Sequence, residues 1–208
     1  MPLYKIITPN SQTTVKIWKI TESFDVLMEE VALKPKSLER VLGMKSELHQ
    51  CGFLSVRCLL KTFGYDDVDL HYDENGKPYL KDGKHISITH SFNFSAVIIS
   101  DAIIGIDIEK QRSKISIIAN KFIDYEFSYL DENASNYINK LTIIWCIKES
   151  LYKLFATPGL SFKQHCLVIP MSDYEQETVA WIDYEARKSR YNIHFLEFEG
   201  FTCAYAIS

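Results

Sequence analysis

Hydrophobic and polar residues recur along this chain with two periods, and these periods predict its strands and helices. Alternation with a period of two, or a short apolar run, predicts strands at residues 15–20, 85–90, 94–100, 103–109, 166–169, 179–183, 191–198 and 201–207. A period near 3.6 predicts helices at residues 22–30, 36–63, 117–130 and 134–155. Gly43 and Gly52 are candidate breaks in the second of these helices. The strands at 85–109 predict one antiparallel sheet, and those after residue 161 predict a second.

The strand at residues 103–109 carries the most unusual pattern. Ile104, Ile106 and Ile108 share one face, while Gly105, Asp107 and Glu109 share the other. The two carboxylates would stand about 6–7 Å apart along the strand, within reach of one hard cation. Gly105 would leave room for a ligand to approach the backbone. The alternative is a half-exposed strand whose acidic residues simply face water.

The predicted helix at 134–155 places a charged residue where the pattern calls for an apolar one. Glu149 and Lys153 are four residues apart and fit an ordinary helix ion pair. Lys148, however, falls in the middle of an apolar arc. Its ammonium group therefore needs a charged partner, a route to water, or an anionic ligand.

Two further residues allow both a structural and a functional interpretation. Arg57 lies among apolar residues of the helix at 36–63, where it either extends along the helix rim to water or grips a phosphate. His90 ends a strand beside polar neighbours, a common place for ligand contacts, although a single histidine is more often structural.

Composition and charge narrow the function classes. The chain has 208 residues, 47% of them hydrophobic, and a net charge of −4, which argues against a general nucleic-acid binder. The first twenty residues show no signal peptide, and no apolar stretch is long enough to span a bilayer, so a cytoplasmic protein is expected. Five scattered cysteines are typical of reduced core thiols.

Taken together, the acidic strand and the long helix resemble the 4'-phosphopantetheinyl transferases, in particular their larger, two-halved, Sfp-like class. The pairing of Gly-Ile-Asp-Ile-Glu at 105–109 with Trp-Cys-Ile-Lys-Glu-Ser-Leu-Tyr-Lys at 145–153 is far more specific than either motif alone. The resemblance extends over roughly residues 36–170. It includes residues 76–78 (Gly-Lys-Pro), 88–91 (Ile-Thr-His-Ser) and 159–161 (Gly-Leu-Ser), together with Phe122 and Glu126.

The resemblance implies an α+β fold of two similar halves with the active site in the cleft between them. Residues 1–102 would form the half on the coenzyme A nucleotide side, and residues 103–208 the Mg²⁺ and catalytic half. The implied reaction transfers the phosphopantetheine arm of coenzyme A to a serine of an apo acyl or peptidyl carrier protein and releases 3',5'-ADP. A monomer is expected, with neither nucleic acid nor membrane as a partner.

The resemblance also implies roles for particular residues. Asp107, Glu109 and Glu149 would hold Mg²⁺, and Glu149 is also the candidate general base for the incoming serine. Lys153 and Lys148 would contact the pyrophosphate. The nucleotide part of coenzyme A would be held by Arg57, Lys77, Pro78, Thr89 and His90.

One departure from the family pattern concerns the 3'-phosphate. Family members often carry several basic residues in the helix ahead of a Val-Arg pair, which is Val56-Arg57 in this chain. Here that helix has Lys36, Arg40 and Lys45 and then His49-Gln50. The residue that grips the 3'-phosphate is therefore not assigned by the sequence.

Two alternative functions would explain part of the same set of sequence motifs. Another Mg²⁺-dependent phosphoryl or phosphodiester enzyme would explain the acidic strand, but not Lys148 or the motifs at 76–78 and 90–91. A non-catalytic module that binds coenzyme A or a carrier protein would not need Asp107, Glu109, Glu149 and Lys153 together.

Overall fold

The computed structural model describes residues 3–172 and 174–208, which divide into two compact units, Met1–Ala102 and Ile103–Ser208. Each unit combines antiparallel strands with helices and encloses its own hydrophobic core. The fold is therefore of the mixed α+β kind. All five cysteines are buried free thiols, as the sequence predicts.

The first unit consists of a four-stranded sheet, a short hairpin and three helices. Its elements are β1 (Leu3–Asn10), β2 (Thr13–Lys19), α1 (Phe24–Glu30), α2 (Pro35–Leu42), α3 (Glu47–Thr62), β3 (Leu70–Tyr72), β4 (Pro78–Leu80), β5 (His85–Ser91) and β6 (Phe94–Ser100). The antiparallel sheet has the order β1-β2-β6-β5, and β3 pairs with β4 separately.

The second unit places its longest helix against a five-stranded sheet. Its elements are β7 (Ile104–Lys110), α4 (Ile115–Phe122), a 3₁₀ turn (Tyr125–Ser128), α5 (Tyr137–Phe155), α6 (Phe162–His165), β8 (Cys166–Val168), β9 (Glu177–Tyr184), β10 (Arg187–Phe198) and β11 (Phe201–Ile207). The strand order is β7-β11-β10-β9-β8, with antiparallel neighbours throughout.

Most predicted helices and strands are confirmed, and the break in the helix at 36–63 falls at Gly43. Gly43 caps the end of α2, and α3 begins at Glu47. Gly52 instead lies inside α3. A Cβ atom at Gly52 would come 3.0 Å from Nδ1 of His90, so the glycine allows that imidazole to lie against the helix.

The prediction that the strands at 85–109 form one sheet is wrong. Strands β5 and β6 pair with each other in the first unit, whereas β7 pairs with β11 in the second. Residues 101–102 thus connect two units and do not form a hairpin turn. Alternation identifies a strand and its faces, but it does not identify the partner strand. The edge strand β1, which is largely exposed, was not predicted.

The prediction that Gly105 leaves room for a ligand is also wrong, because helix α5 fills that space. A Cβ atom at Gly105 would lie 1.9 Å from the backbone oxygen of Ser150. Strand β7 is therefore covered on the face that carries its acidic residues, and is not a half-exposed strand. The absence of a side chain at residue 105 allows the helix and strand backbones to meet.

Replacing Gly105 with alanine is expected to lower the free energy of unfolding by about 3 kcal/mol, because backbone atoms must move apart to admit the methyl group. Urea denaturation measures this change. The matched control is Gly43→Ala, where the nearest atom to the new Cβ is 3.3 Å away and the backbone is helical. It should change stability by less than about 1 kcal/mol. Equal effects of the two substitutions would contradict the close approach of α5 to β7.

Candidate active site

Strand β7 and helix α5 bring together residues that are some forty positions apart in the sequence. Asp107 lies on the same face of β7 as Gly105, the face that α5 covers. Lys153 of α5 places its Nζ atom 2.8 Å from Oδ1 of Asp107 and donates a second hydrogen bond, of 2.9 Å, to the carbonyl oxygen of Ile106. Asp107 is buried and the Lys153 side chain is 29% exposed, so the ion pair borders solvent on the lysine side.

The register of α5 on the sheet is set by Ser150. The single hydrogen of its hydroxyl is shared between the carbonyl oxygens of Cys146, 2.7 Å from Oγ, and of Ala204 in β11, 2.9 Å from Oγ. Ala204 is the residue of β11 that pairs with Asp107. The helix is thus anchored beside the acidic position of β7.

Glu149 lies one helical turn before Lys153 and has an unusual electrostatic environment. Burial raises the pKa of its carboxyl group from the usual 4.5 to about 7, with a further upward contribution from the Asp107 carboxylate. Lys153 opposes the shift, and Glu109 adds to it. The Asp107 and Glu109 carboxylates are therefore close enough to Glu149 to disfavour its ionised form.

The donor set fits a hard divalent cation in its chemistry, because carboxylate oxygens are the ligands that Mg²⁺ prefers. Across residues 3–172 and 174–208, however, the structure contains no three His, Cys, Asp or Glu side chains already arranged around a common metal position. In this arrangement the Lys153 ammonium group supplies the positive charge beside Asp107.

Lys148 lies away from this group and is fully buried. Its Nζ atom is 2.8 Å from Oε1 of Glu126 and donates to the carbonyl oxygens of Phe122, at 2.7 Å, and Phe162, at 3.1 Å. An ammonium group has three hydrogens, so these contacts use its whole donor capacity. These contacts give Lys148 a structural role in the second unit. Its contact with the pyrophosphate stays a prediction of the family resemblance.

Glu126 is the ion-pair partner that the sequence analysis left without a role. It lies in the 3₁₀ turn and accepts a hydrogen bond of 2.9 Å from the backbone N–H of Val168 as well as the contact from Lys148. A lysine in an apolar helix arc is compatible with a buried carboxylate partner, with a route to water or with an anionic ligand. That pattern does not identify Glu126, because the partner is 22 residues away in an irregular segment.

Arg57, in the first unit, is likewise a buried structural residue. Its Nε atom is 3.0 Å from Oδ1 of Asp67, and its Nη1 atom donates to the carbonyl oxygen of Phe53 at 3.1 Å. The guanidinium carbon also lies 3.4 Å from the centroid of the Phe53 ring. Arg57 is therefore held by packing and hydrogen bonds inside the first unit and does not reach water along the helix rim. Its contact with a phosphate stays a prediction of the family resemblance.

The other predicted nucleotide-binding residues lie on β4, β5 and the turn before β4. His90 is exposed, and its ring centroid is 6.4 Å from that of His49. Thr89 is buried, and Lys77 is partly exposed in a turn where its backbone N–H donates to Oδ1 of Asp73. Pro78 begins β4 opposite Tyr72. His90 is thus exposed, and Lys77 and Pro78 are partly exposed, whereas Thr89 and Arg57 are buried.

Comparison with known proteins identifies the family. The model of the 4'-phosphopantetheinyl transferase superfamily matches residues 103–206, half of this chain, and includes both β7 and α5. The chain therefore belongs to the 4'-phosphopantetheinyl transferase superfamily, as the paired sequence motifs predict.

Two curated relatives carry the same family name. The 4'-phosphopantetheinyl transferase gsp of Aneurinibacillus migulanus is 28% identical over 145 residues, which cover 67% of this chain and 58% of that protein. The 4'-phosphopantetheinyl transferase of Bacillus subtilis is 26% identical over 162 residues, 72% of this chain and 70% of that protein. The match thus spans less than two thirds of the gsp protein. Within the described residues, no helix combines the length and apolarity needed to cross a bilayer.

The raised pKa of Glu149 predicts a pH-dependent stability. Folding raises this pKa above the usual 4.5, so the folded protein holds the proton more tightly than the unfolded chain does. The resulting stabilisation is complete below that usual value and is lost as the pH rises through about 7. Glu149→Gln keeps a neutral side chain at every pH. It should therefore match the wild type near pH 4 and exceed its stability by at most about 3 kcal/mol near pH 8.

The measurement is urea denaturation across this pH range in the presence of a chelator, so that divalent cations do not contribute. Glu132→Gln, at an exposed position ahead of α5, is the control and should follow the wild type. A pH-independent difference between Glu149→Gln and the wild type would contradict the electrostatic description of Glu149.

Proposed function

We propose that this chain transfers the 4'-phosphopantetheine arm of coenzyme A to a serine of an apo acyl or peptidyl carrier protein, with release of 3',5'-ADP. The observation that carries the proposal is the ion pair of Lys153 with Asp107, beside Glu149 with its raised pKa. Family membership and the names of both relatives support the same reaction class.

In the proposed reaction, the carrier serine oxygen attacks the β-phosphate of coenzyme A. A new bond forms between this oxygen and phosphorus, and the bond from that phosphorus to the oxygen bridging to 3',5'-ADP breaks. Negative charge accumulates on the pyrophosphate oxygens during this exchange. The Lys153 ammonium group, partly exposed, supplies a positive charge to stabilise it.

Glu149 is the proposed acceptor for the serine proton. A carboxylate with a pKa of about 7 is a stronger base than an ordinary glutamate and is still partly ionised at neutral pH. Burial and the neighbouring Asp107 carboxylate, which cause the shift, thus also favour proton transfer.

Mg²⁺ is the proposed cofactor, held by Asp107 and Glu109 with Glu149 as the third ligand. When bound, it would neutralise charge on the pyrophosphate as a Lewis acid. The upward contributions of Asp107 and Glu109 to the pKa of Glu149 support a cation at this position, because a positive ion would offset the charge that the three carboxylates bring together. One carboxylate cannot easily serve as metal ligand and general base at once, so the two roles of Glu149 are separate hypotheses.

The nucleotide part of coenzyme A is proposed to bind the first unit through His90 and Lys77. Both side chains are accessible, and a histidine beside a second histidine suits an anionic phosphate when protonated. Thr89 and Pro78 would support these two from the adjacent strand and turn positions. Arg57 would act on this site indirectly, by packing helix α3 against Asp67.

We also propose that the two units are similar halves of one duplicated fold. In each unit, a strand precedes the longest helix and pairs antiparallel with the last strand of a later hairpin: β2 with β6, and β7 with β11. Each long helix carries a buried serine that bonds to that last strand, Ser55 to the hydroxyl of Ser95 and Ser150 to the carbonyl oxygen of Ala204. This correspondence supports a duplicated origin. The active-site cleft stays a prediction of the family resemblance.

Intact-mass spectrometry of apo carrier proteins tests the proposed reaction. The purified protein with coenzyme A and Mg²⁺ should increase the carrier mass by one phosphopantetheine group. Asp107→Ala should reduce the rate at least about 100-fold, because it removes both a proposed metal ligand and the partner of Lys153. A folded wild type that leaves several acyl and peptidyl carriers unchanged would exclude the transferase and favour the binding module. An Asp107→Ala variant that modifies the carrier at the wild-type rate would exclude the proposed active site.

Calorimetric titration with Mg²⁺ in the absence of carrier separates the two roles of Glu149. Asp107→Asn and Glu109→Gln should both weaken Mg²⁺ binding at least about tenfold, because each removes a charged oxygen ligand. If Glu149 is a ligand, Glu149→Gln weakens binding similarly. If it is the base, Glu149→Gln binds Mg²⁺ as the wild type does but loses about 100-fold or more in kcat. Unchanged binding in all three variants would exclude the metal site.

A further inference from the structure

The buried pair of Lys148 and Glu126 connects more of the second unit than its two residues suggest. Through its three hydrogen bonds, Lys148 joins α5 to the end of α4 at Phe122 and to the start of α6 at Phe162. Glu126 in turn accepts from the backbone N–H of Val168, in β8, and from that of Asp124. The end of α4, the 3₁₀ turn, the start of α6 and strand β8 are thus all connected to α5 at Lys148.

An aromatic cluster covers this point. The rings of Phe122 and Phe162, whose carbonyl oxygens receive the Lys148 bonds, both lie edge-on to Trp145, with centroids 5.0 and 5.6 Å from its ring. Trp145 precedes Lys148 by three residues and therefore lies on the same side of α5. Neither Lys148 nor Glu126 has any exposed side-chain area. The ion pair is consequently shielded from water and has little freedom to rearrange.

The opposite side of α5 is held equally tightly. Lys148 and Ser150 point about 200° apart around the helix axis, and Ser150 is bonded to β11 while its backbone oxygen lies against Gly105. Glu149 lies between them, about 100° from each. The helix is therefore held in place on both sides of Glu149, the residue that faces Asp107 and Glu109.

A buried ion pair is not the most economical way to stabilise a core, because apolar residues of similar volume often stabilise it as well or better. Its advantage is directional, since the three donor hydrogens of an ammonium group must each meet an acceptor. An apolar side chain at residue 148 would allow α5 to slide or rotate by small amounts. Such displacements matter little for burial but greatly for groups that must meet a substrate with sub-ångström accuracy.

We propose that Lys148 and Glu126 are positioning residues: their ion pair fixes the rotation and axial position of α5, so that Glu149 and Lys153 are aimed at Asp107. The inference rests on the function proposed above for Glu149 and Lys153. It assigns Lys148 to the site through the helix that it holds, independently of any contact between its ammonium group and a reacting atom.

The test compares the wild type with a double variant, called the neutral pair, in which neither residue of the ion pair carries a charge. Lys148→Met alone would leave the Glu126 carboxylate buried without its partner and could fail to fold, so the informative variant is Lys148→Met combined with Glu126→Gln. Glutamine keeps an oxygen that can accept from Val168. The control is Ile182→Ala, which removes buried apolar volume from β9 of the same unit. All proteins are assayed at a temperature at which each is folded.

The neutral pair is expected to lower kcat for carrier modification about 10- to 100-fold with little change in the KM for coenzyme A, whereas Ile182→Ala should retain wild-type kcat. Hydrogen exchange should accelerate selectively in peptides from residues 145–155 of the neutral pair, with β9 and β10 unaffected. A neutral pair with wild-type kcat and wild-type exchange in α5 would overturn the proposal.

The two readouts also separate this inference from the proposed function. If the wild type modifies no carrier, the proposed function fails, and the exchange experiment still decides whether the pair holds α5. If the wild type is active and the folded neutral pair has the same kcat as folded Ile182→Ala, the positioning role is excluded.

Discussion

Helix α5 lies so close to strand β7 that residue 105 has no space for a methyl group, and the candidate site depends on this contact. Because Gly105 meets the backbone of Ser150, the acidic face of β7 is turned toward the helix and not toward water. Asp107, two residues along the same face, then meets Lys153 at 2.8 Å. A larger residue at 105 would separate the two backbones and, with them, the carboxylates of the strand from the charged residues of the helix.

The charged residues of α5 divide into two functional groups because of the helix geometry. Glu149 and Lys153 are four positions apart and share the side that faces β7 at the border of solvent, whereas Lys148 points into the core and binds Glu126. The side with Glu149 and Lys153 would act on the substrate, and the side with Lys148 holds the helix in its position. Breaking a buried ion pair of this kind usually costs about 3–5 kcal/mol, so loss of either partner would affect the unit as a whole before any effect on chemistry could be seen.

Buried charge recurs in the first unit with the same structural consequence. Arg57 binds Asp67 and the carbonyl oxygen of Phe53, much as Lys148 binds Glu126 and two carbonyl oxygens. In both units, a residue that matches a ligand position by family resemblance serves the packing of a long helix. Among the residues with predicted ligand roles, His90 is exposed, and the partly exposed ones are Lys77, Pro78, Glu109, Glu149 and Lys153.

The sequence by itself determined the positions of most helices and strands, the family, and the paired acidic and Lys-Glu motifs, because periodicity and short motifs are local properties of the chain. It could not determine the partner of β7, since the alternation of Ile104–Lys110 is equally compatible with a neighbouring hairpin and with the distant β11. Nor could it assign Lys148 and Arg57, because a cation in an apolar stretch requires a partner without naming it. Only the tertiary structure supplied Glu126 and Asp67, and only the contact at Gly105 decided that the acidic strand faces a helix, since these are packing relations between segments far apart in the chain.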